Sequence, residues 1–555
     1  MLHLGVNAAE PQTGITISVN TAEDELNSDG DCSLREAIES ANRDSSVDAC
    51  PPGSGVDTII VPTGVYSLTL TGVNEDDNQT GDLDIRSDVI FSGVSLTETV
   101  LSGNEIDRVL HIHAGAQVTI TGFTITDGHL PDAHTAITAT NRAGGAIINW
   151  GVLTMRDSSV QNSRASDSFP YALPDEVGGD GGGIANYGQL TLIRTIVRDN
   201  LSGAPGWVIK GGSGGGIANF GVCTLNQSEV SHNIVPPLSS GRGGGIYNEG
   251  TLFLFQSALR ENSSGSGIIF HGQASGGPGG GLMNVGVATL VSSTVSNNIA
   301  GRPSGDGGGI FNSGALTLTH STISANRAAE GAAEDIGRSG PSIGGDGAGV
   351  YNAGQLFASN NTISGNICGD SISEIANGRG GHGGGIYNVG AITMTNTTIT
   401  LNITGDSITT TIPGGDGGGI YNTGTVALKN SLIGHNVTHN MGPDCYGSLT
   451  SYGYNLLHQP AQCALLDNVD ANIIGLDPRI GPLADNGGST WTHALLFGSP
   501  AVDAGSCTDI DFQPVTTDQR GEVRPQNNNC DMGAFEAPLV VTHYNHLPLI
   551  IRTHE

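Results

Sequence analysis

The sequence predicts an all-β fold: a right-handed parallel β-helix (a solenoid), closed at one end by a short capping helix and at the other by an irregular region stapled with disulfides. Three observations predict it. A glycine-rich cassette recurs nine times, its aliphatic residues fall two apart, and its asparagines return at fixed places. With the Asn of each Ile-x-Asn-x-Gly segment as origin, the origins are Asn149, Asn186, Asn219, Asn248, Asn284, Asn312, Asn352, Asn388 and Asn422, spaced by 28 to 40 residues. Repeats of that length mark stacked solenoids rather than one globular core.

The position two before each origin is always aliphatic, as in Ile184, Ile310 and Ile420, and so is the position eleven after, from Val160 to Ile433. Positions four and six after are mostly Leu, Ile, Val or Met, as in Leu190 with Leu192. A step of two is strand alternation. The glycine runs and the Thr, Ser and Val content disfavour helix. Each cassette is therefore expected to form three short strands separated by tight corners. One such coil cannot bury its own apolar side, but coils stacked ~4.8 Å apart share a continuous interior.

The polar positions are equally regular. Gly stands two after every origin, where a corner with positive φ is expected. Position nine is Ser, Thr or Asn, and position fourteen is Asn in eight cassettes, with Ser163 in the first. Asn tolerates left-handed corners, and amides stacked coil on coil can bond as ladders, so these residues are expected to be structural rather than ligand-binding.

Composition limits the partners. The net charge is −32, and Lys210 and Lys429 are the only lysines, which argues against nucleic acid and anionic membrane surfaces. No run reaches the ~18 apolar residues of a transmembrane helix. Six of the eight cysteines form local pairs outside the repeats: Cys32 with Cys50, Cys445 with Cys463, and Cys507 with Cys530. That placement predicts disulfides at the ends and an oxidising compartment, since no CxxC or Cys/His cluster at ligand spacing supports a metal instead. Cys223 replaces an interior Leu, and Cys368 falls in a variable loop.

A stack needs caps. In DCSLREAIESANRD, Ser33 with Glu36 three residues on forms a capping box, and Leu34, Ala37, Ile38 and Ala41 share one face of a short helix. Over Cys32 to Ala37 the chain resembles the bacterial N-terminal region named after its CSLREA motif, found on secreted parallel β-helix proteins. Past Asn440 the glycine rhythm stops. The blocks DPRIGPLADNGGSTWTHALLFGSPAVDAGSC, TDQRGEVRP and CDMGAFE resemble the choice-of-anchor Q region of bacterial surface or exported proteins. This resemblance implies an extracellular or cell-surface location and names no activity. The expected organisation is a tail or leader remnant at 1–13, a cap at 14–50, the β-helix at 51–440 with regular coils from about 143, the anchor-like region at 441–537, and a hydrophobic tail at 538–555.

All variable segments enter between position fourteen and the next glycine run, so the loops are expected along one edge. Six residues before the origin the series runs Ala143, Asp180, Ser213, Arg242, Pro278, Asp306, Asp346, His382, Asp416. Asp306, Asp346 and Asp416 could hold Ca²⁺ through stacked carboxylates; the competing reading is turn chemistry before glycine. Gly381-His382-Gly383 matches a motif of polygalacturonases, which resemble this chain in coil architecture, but no partner carboxylate pair stands in neighbouring coils; Asp76 and Asp77 lie far upstream. The Asn27-Ser-Asp29-Gly-Asp31 segment lacks the remaining ligands of an EF-hand and reads as a turn. Two function classes follow: an exported or surface protein with a structural, adhesive or carbohydrate-binding role toward polysaccharide or matrix, or a polysaccharide lyase or glycoside hydrolase on the same scaffold. The sequence favours the non-enzymatic class.

Overall fold

The computed structural model describes residues 14–72, 75–131, 142–168, 177–205, 211–267, 276–331, 343–372, 378–408, 413–466 and 471–538. The expected 1–13 segment and all but the first residue of the 538–555 tail lie outside them. Each regular coil has strands of three, five and three residues, as in Ile246–Asn248, Thr251–Phe255 and Ala258–Arg260. Strands of successive coils pair in parallel and in register. Ile310 lies between Leu282 and Val350, Leu316 between Ala288 and Leu356, and Ile323 between Val295 and Ile363. Three strand columns result, making the fold the expected parallel β-helix. The strand Cys445–Ser451 pairs with both Ile420–Asn422 and Thr425–Lys429 and joins the first two columns into a 26-stranded sheet; the third column has 14 strands.

The columns extend beyond the glycine rhythm at both ends. Thr16–Ser18 pairs with Asp57–Ile60 ahead of the regular coils, and Leu456–Leu457 pairs with Ile473–Ile474 well past residue 441. Four interior positions per coil carry the core. Ile246, Leu252, Leu254 and Leu259 are all fully buried, as are Ile310, Leu316, Leu318 and Ile323. At about 2 kcal/mol per buried aliphatic side chain, this term exceeds the net of about 1 kcal/mol from any single hydrogen bond. The core drives stacking and the polar ladders fix its register.

Those ladders run the length of the regular coils. Asn248 Nδ2 donates to Asn284 Oδ1 at 2.8 Å, one step of a chain from Asn149 to Asn422. Position fourteen forms a second chain, in which the backbone N–H and the Nδ2 of Asn262 both donate to Asn298 Oδ1 at 3.0 Å. Position nine forms a third: the Thr195 N–H donates to Ser228 Oγ at 3.1 Å, and the Ser228 N–H to Ser257 Oγ at 3.1 Å.

Two local expectations are corrected. The glycine two after the origin never takes positive φ; it is glycine because the coil beneath is too close, and a Cβ on Gly188 or Gly221 would strike the carbonyl oxygen of Gly151 or Gly188. Positive φ falls instead on the glycine five before the origin, between 62° and 73° from Gly144 to Gly417. The left-handed corners at positions eight and thirteen are not taken by the ladder residues but by the residue just before each, as at Arg194 and His232. Side chains as different as Arg, His and Leu accept that conformation. The strain of about 1–2 kcal/mol is met by the ladder bond that the next residue makes.

The N-terminal cap is the helix Leu34–Arg43. Both halves of the Ser33–Glu36 capping box are formed, and Leu34, Ala37, Ile38 and Ala41 face the interior. Arg35, fully enclosed, donates to Asp24 at 2.6 Å and to the Gly81 carbonyl at 2.8 Å, tying the helix to the first coil. The three expected disulfides are present, with Cα separations of 5.0 to 5.3 Å. Cys223 is buried among the leucines as expected; Cys368 lies in the irregular segment between Thr362–Ser364 and Ile386–Asn388 as a free thiol, and it is buried against Ala328 and Ala348. Replacing Ile310 by Asp places an unpaired carboxylate between two stacked coils. Chemical denaturation should show a loss of about 3 kcal/mol or more; a loss under about 0.5 kcal/mol would put Ile310 outside the core.

Candidate functional site

Three outward surfaces are regular enough to act as sites. The first is the column before the glycine run. Its side chains accept from the same position of the next coil: the Asp346 N–H donates to Asp306 Oδ1 at 2.7 Å, the His382 N–H to Asp346 Oδ1 at 2.6 Å, the Asp416 N–H to His382 Nδ1 at 2.7 Å, and the Met441 N–H to Asp416 Oδ1 at 3.0 Å. Asp180 does the same for Ser213 at 2.6 Å. Asp306 and Asp346 are thus adjacent, while His382 stands between Asp346 and Asp416. Arg379 grips both oxygens of Asp346 at 2.8 Å. Burial, then the Asp346 charge, push the Asp306 carboxyl up to about 8. Burial, then Arg379, lower the pKa of His382, whose ring stacks on Tyr421 at 4.4 Å. His382 is held as a neutral acceptor in the ladder.

The second surface is the outward face of the first column. Phe311, Tyr351, Tyr387, Tyr421 and Tyr446 stack on one another with centroids 4.5 to 5.1 Å apart. A second stack, Trp150, Tyr187 and Phe220, stands one position after the origin of the earlier coils, at 4.1 and 4.8 Å. Within each stack the ring faces cover each other and leave edges and hydroxyls for a partner, while Trp150 at the end of its stack is 39% exposed. Burial, then Asp306, push the Tyr351 phenol up to about 12, so it stays a neutral donor.

The third surface is the outward face of the third column, and the C-terminal region divides it. That region contains the antiparallel pair Ile480–Ala484 and Thr492–Leu495 and folds back alongside the coils. Gln519 bonds Thr322 and Thr362, Ser364 Oγ lies 2.8 Å from His493 Nε2, and the Ala534 N–H donates to Thr398 Oγ1 at 3.0 Å. The covered coils present small hydroxyls, Thr322, Ser324, Thr362, Ser364, Thr398 and Thr400, all at most 8% exposed. The sequence blocks that carry the resemblance perform this docking. Asp518 accepts from the Arg520, Glu522 and Glu536 backbones, Arg524 donates to Asp531 and Gly533 carbonyls, and Arg520 lies over Phe535 at 3.7 Å.

Upstream, the same face is open as a groove of about 630 Å³. Its floor is the paired strands Thr124–Thr126, Ser159–Gln161, Ile196–Arg198 and Glu229–Ser231, and Leu96 and Thr97 form a wall. Here the small hydroxyls give way to Gln161, Arg198, Glu229 and His232. Arg198 donates twice to Gln161 Oε1 at 3.0 and 2.8 Å, Glu229 is bridged by Arg260, and His232 lies 2.7 Å from Glu261. The groove therefore offers hydroxyl, amide, guanidinium and carboxylate groups; Arg198, Glu229 and His232 are already engaged by neighbours, and Asp127 accepts from the Ser102 hydroxyl. Stacking does not require these outward side chains, and the groove lies on the third column; much of the expected loop edge, including 132–141, 169–176, 268–275 and 332–342, lies outside the described residues. The +10 and +12 positions of the cassette, Thr and Ser in later coils but Ile, Arg and Glu earlier, were the available signal.

No family model matches the chain, and no curated protein does. Among solved structures it is similar to a crystal structure of the pectate lyase Pel9A, at 11% identity over 94% of this chain and 96% of that one, with a TM-score of 0.35. It is also similar to the catalytic domain of a GH87 α-1,3-glucanase in complex with nigerose, at 12% identity over 75% of this chain and 63% of that one, with a TM-score of 0.22. Scores this low leave the site to be judged on its own residues.

The Asp306 geometry fixes a pH dependence. A folded-state pKa of about 8 against the ordinary 3.8 means the folded chain holds this proton after the unfolded chain has lost it. The contribution of Asp306 to stability is therefore complete below about pH 4 and declines as pH rises to about 8. Asp306→Asn keeps the acceptor and removes the titration. Its melting temperature should match wild type near pH 4 and exceed it by a few degrees near pH 8. A wild type that gains on the variant over that interval would contradict the burial of this carboxylate.

Proposed function

We propose that this is an exported or cell-surface β-helical protein that binds a polysaccharide lengthwise in the open third-column groove, without cleaving it. The observation that supports this most is the groove itself: about 630 Å³ lined by hydroxyl, amide and charged side chains and spanning four coils, on a face that the chain's own C-terminal region covers over later coils. The Arg198, Glu229 and His232 side chains, each already engaged by a neighbour, suit hydrogen bonding to sugar hydroxyls better than proton transfer, which needs a group free to change its protonation. With a net charge of −32, a neutral polysaccharide is favoured over a polyuronate. Membership of the CSLREA and choice-of-anchor Q group belongs to this proposal; the Cys32–Ala37 motif and the C-terminal blocks support it, and the three disulfides fit an extracellular location. The second reading, a lyase or hydrolase, draws on Asp127 and Glu229 lining the same groove.

Binding of a panel of neutral and acidic polysaccharides decides between them. A neutral glycan should bind wild type, Arg198→Ala should weaken it at least tenfold with an unchanged melting temperature, and Tyr387→Ala on the other face should leave it intact. Reducing or unsaturated ends that appear with wild type and vanish with Glu229→Gln would overturn the binding reading in favour of the enzyme.

Calcium at Asp306, Asp346 and Asp416 is a separate proposal, and it requires the ion to displace Arg379 from Asp346. If the ion binds, calorimetry should show a Ca²⁺-dependent rise in melting temperature that Asp346→Ala abolishes. An unchanged scan leaves the three as backbone acceptors.

A further inference from the structure

The outward face of the first column carries a second kind of chemistry at its N-terminal end. Asp84 on Leu83–Ile85 and His111 on Leu110–Ile112 are register partners on adjacent coils, and His113 follows two residues on, on the same side. Asp84 is fully buried, and one of its oxygens, Oδ1, lies 3.2 Å from His111 Nδ1 and 2.8 Å from His113 Nε2. Its other oxygen accepts from the Asn78 N–H at 2.9 Å. Asp76, on the loop that leads into this strand, brings Oδ1 to 3.4 Å from the same His111 nitrogen. That nitrogen is shielded from solvent and has no aligned hydrogen-bond partner, although two carboxylate oxygens are near it. The two imidazoles are stacked with centroids 3.8 Å apart.

We propose that Asp84, His111 and His113, closed by Asp76, form a binding site for a divalent transition-metal ion. One ligand atom from each of the four lies within 4.8 Å of the others. Bonds of about 2.1 Å in a tetrahedral Zn²⁺ site separate ligand atoms by roughly 3.4 Å, close to the 3.2 and 3.4 Å found around His111. Two nitrogen donors select a borderline ion of the zinc class over Ca²⁺, which prefers oxygen throughout. Two carboxylates neutralise the ion. The site joins two coils directly beneath the cap, where Asn42 of the capping helix donates to the Asp84 carbonyl at 2.8 Å, so its occupancy would lock the N-terminal end of the stack.

The full chain, stripped with EDTA and dialysed, is titrated with Zn²⁺ by calorimetry and melted with and without the ion. Wild type should bind one equivalent and melt higher with Zn²⁺, whereas Ca²⁺ should do neither. His111→Gln and His113→Gln should each weaken binding at least tenfold while melting like stripped wild type, which shows that they fold. His435→Gln, at the far end of the stack, should bind as wild type does. A wild type that takes up no Zn²⁺, or binding that both variants retain, would overturn the site.

Discussion

Everything in this molecule depends on coils of unequal length stacking in residue-for-residue register. The interior aliphatics supply most of the driving force, but a greasy interior alone would tolerate a slip. The ladders of Asn, Ser and Thr do not, because each N–H donates to the side chain at the same position one coil on, and a slip would strand a buried donor in every coil. The same closeness dictates the glycines two after each origin, where the neighbouring carbonyl leaves no room for a Cβ. Length variation is then confined to the one corner that no ladder crosses.

With the inward and corner positions committed, chemistry can reside only on outward faces. These have different fates. The aromatic stacks cover much of the first column, the folded-back C-terminal region seals the third column over the later coils, and the early coils keep that face open with Arg, Gln and Glu in place of Thr and Ser. The recognisable sequence motifs belong to the structural side of this division. Ser33, Arg35 and Glu36 build the cap, and Asp518, Arg520 and Arg524 hold the C-terminal region in place. Activity has to be sought where the motifs are absent.

The fold was legible in the sequence because stacking acts on every coil alike. Ile310, Leu316 and Ile323 are interior for the same reason as their eight counterparts, and the Asn ladders repeat with them. What was not legible lies off the repeat. The left-handed residues at positions eight and thirteen vary in type, so only geometry reveals them. Cys368 is buried by packing against its neighbouring coils. The pairing of Asp84 with His111 occurs in early coils whose cassette is too irregular to align, and residues 480–538 return to cover part of the third-column face more than 100 positions away in sequence, while the groove lies upstream of that cover.

Hydrogen–deuterium exchange resolved to single amides tests the central claim, that the repeated polar residues serve register. The backbone amides of Asn200, Asn233, Asn262, Asn298, Asn326, Asn366 and Asn402, each donated to the side chain of the next coil, should exchange last and together, through opening of the whole stack. Exchange of these amides as fast as those of the exposed loop starts would contradict it and leave the ladders as a by-product of the core.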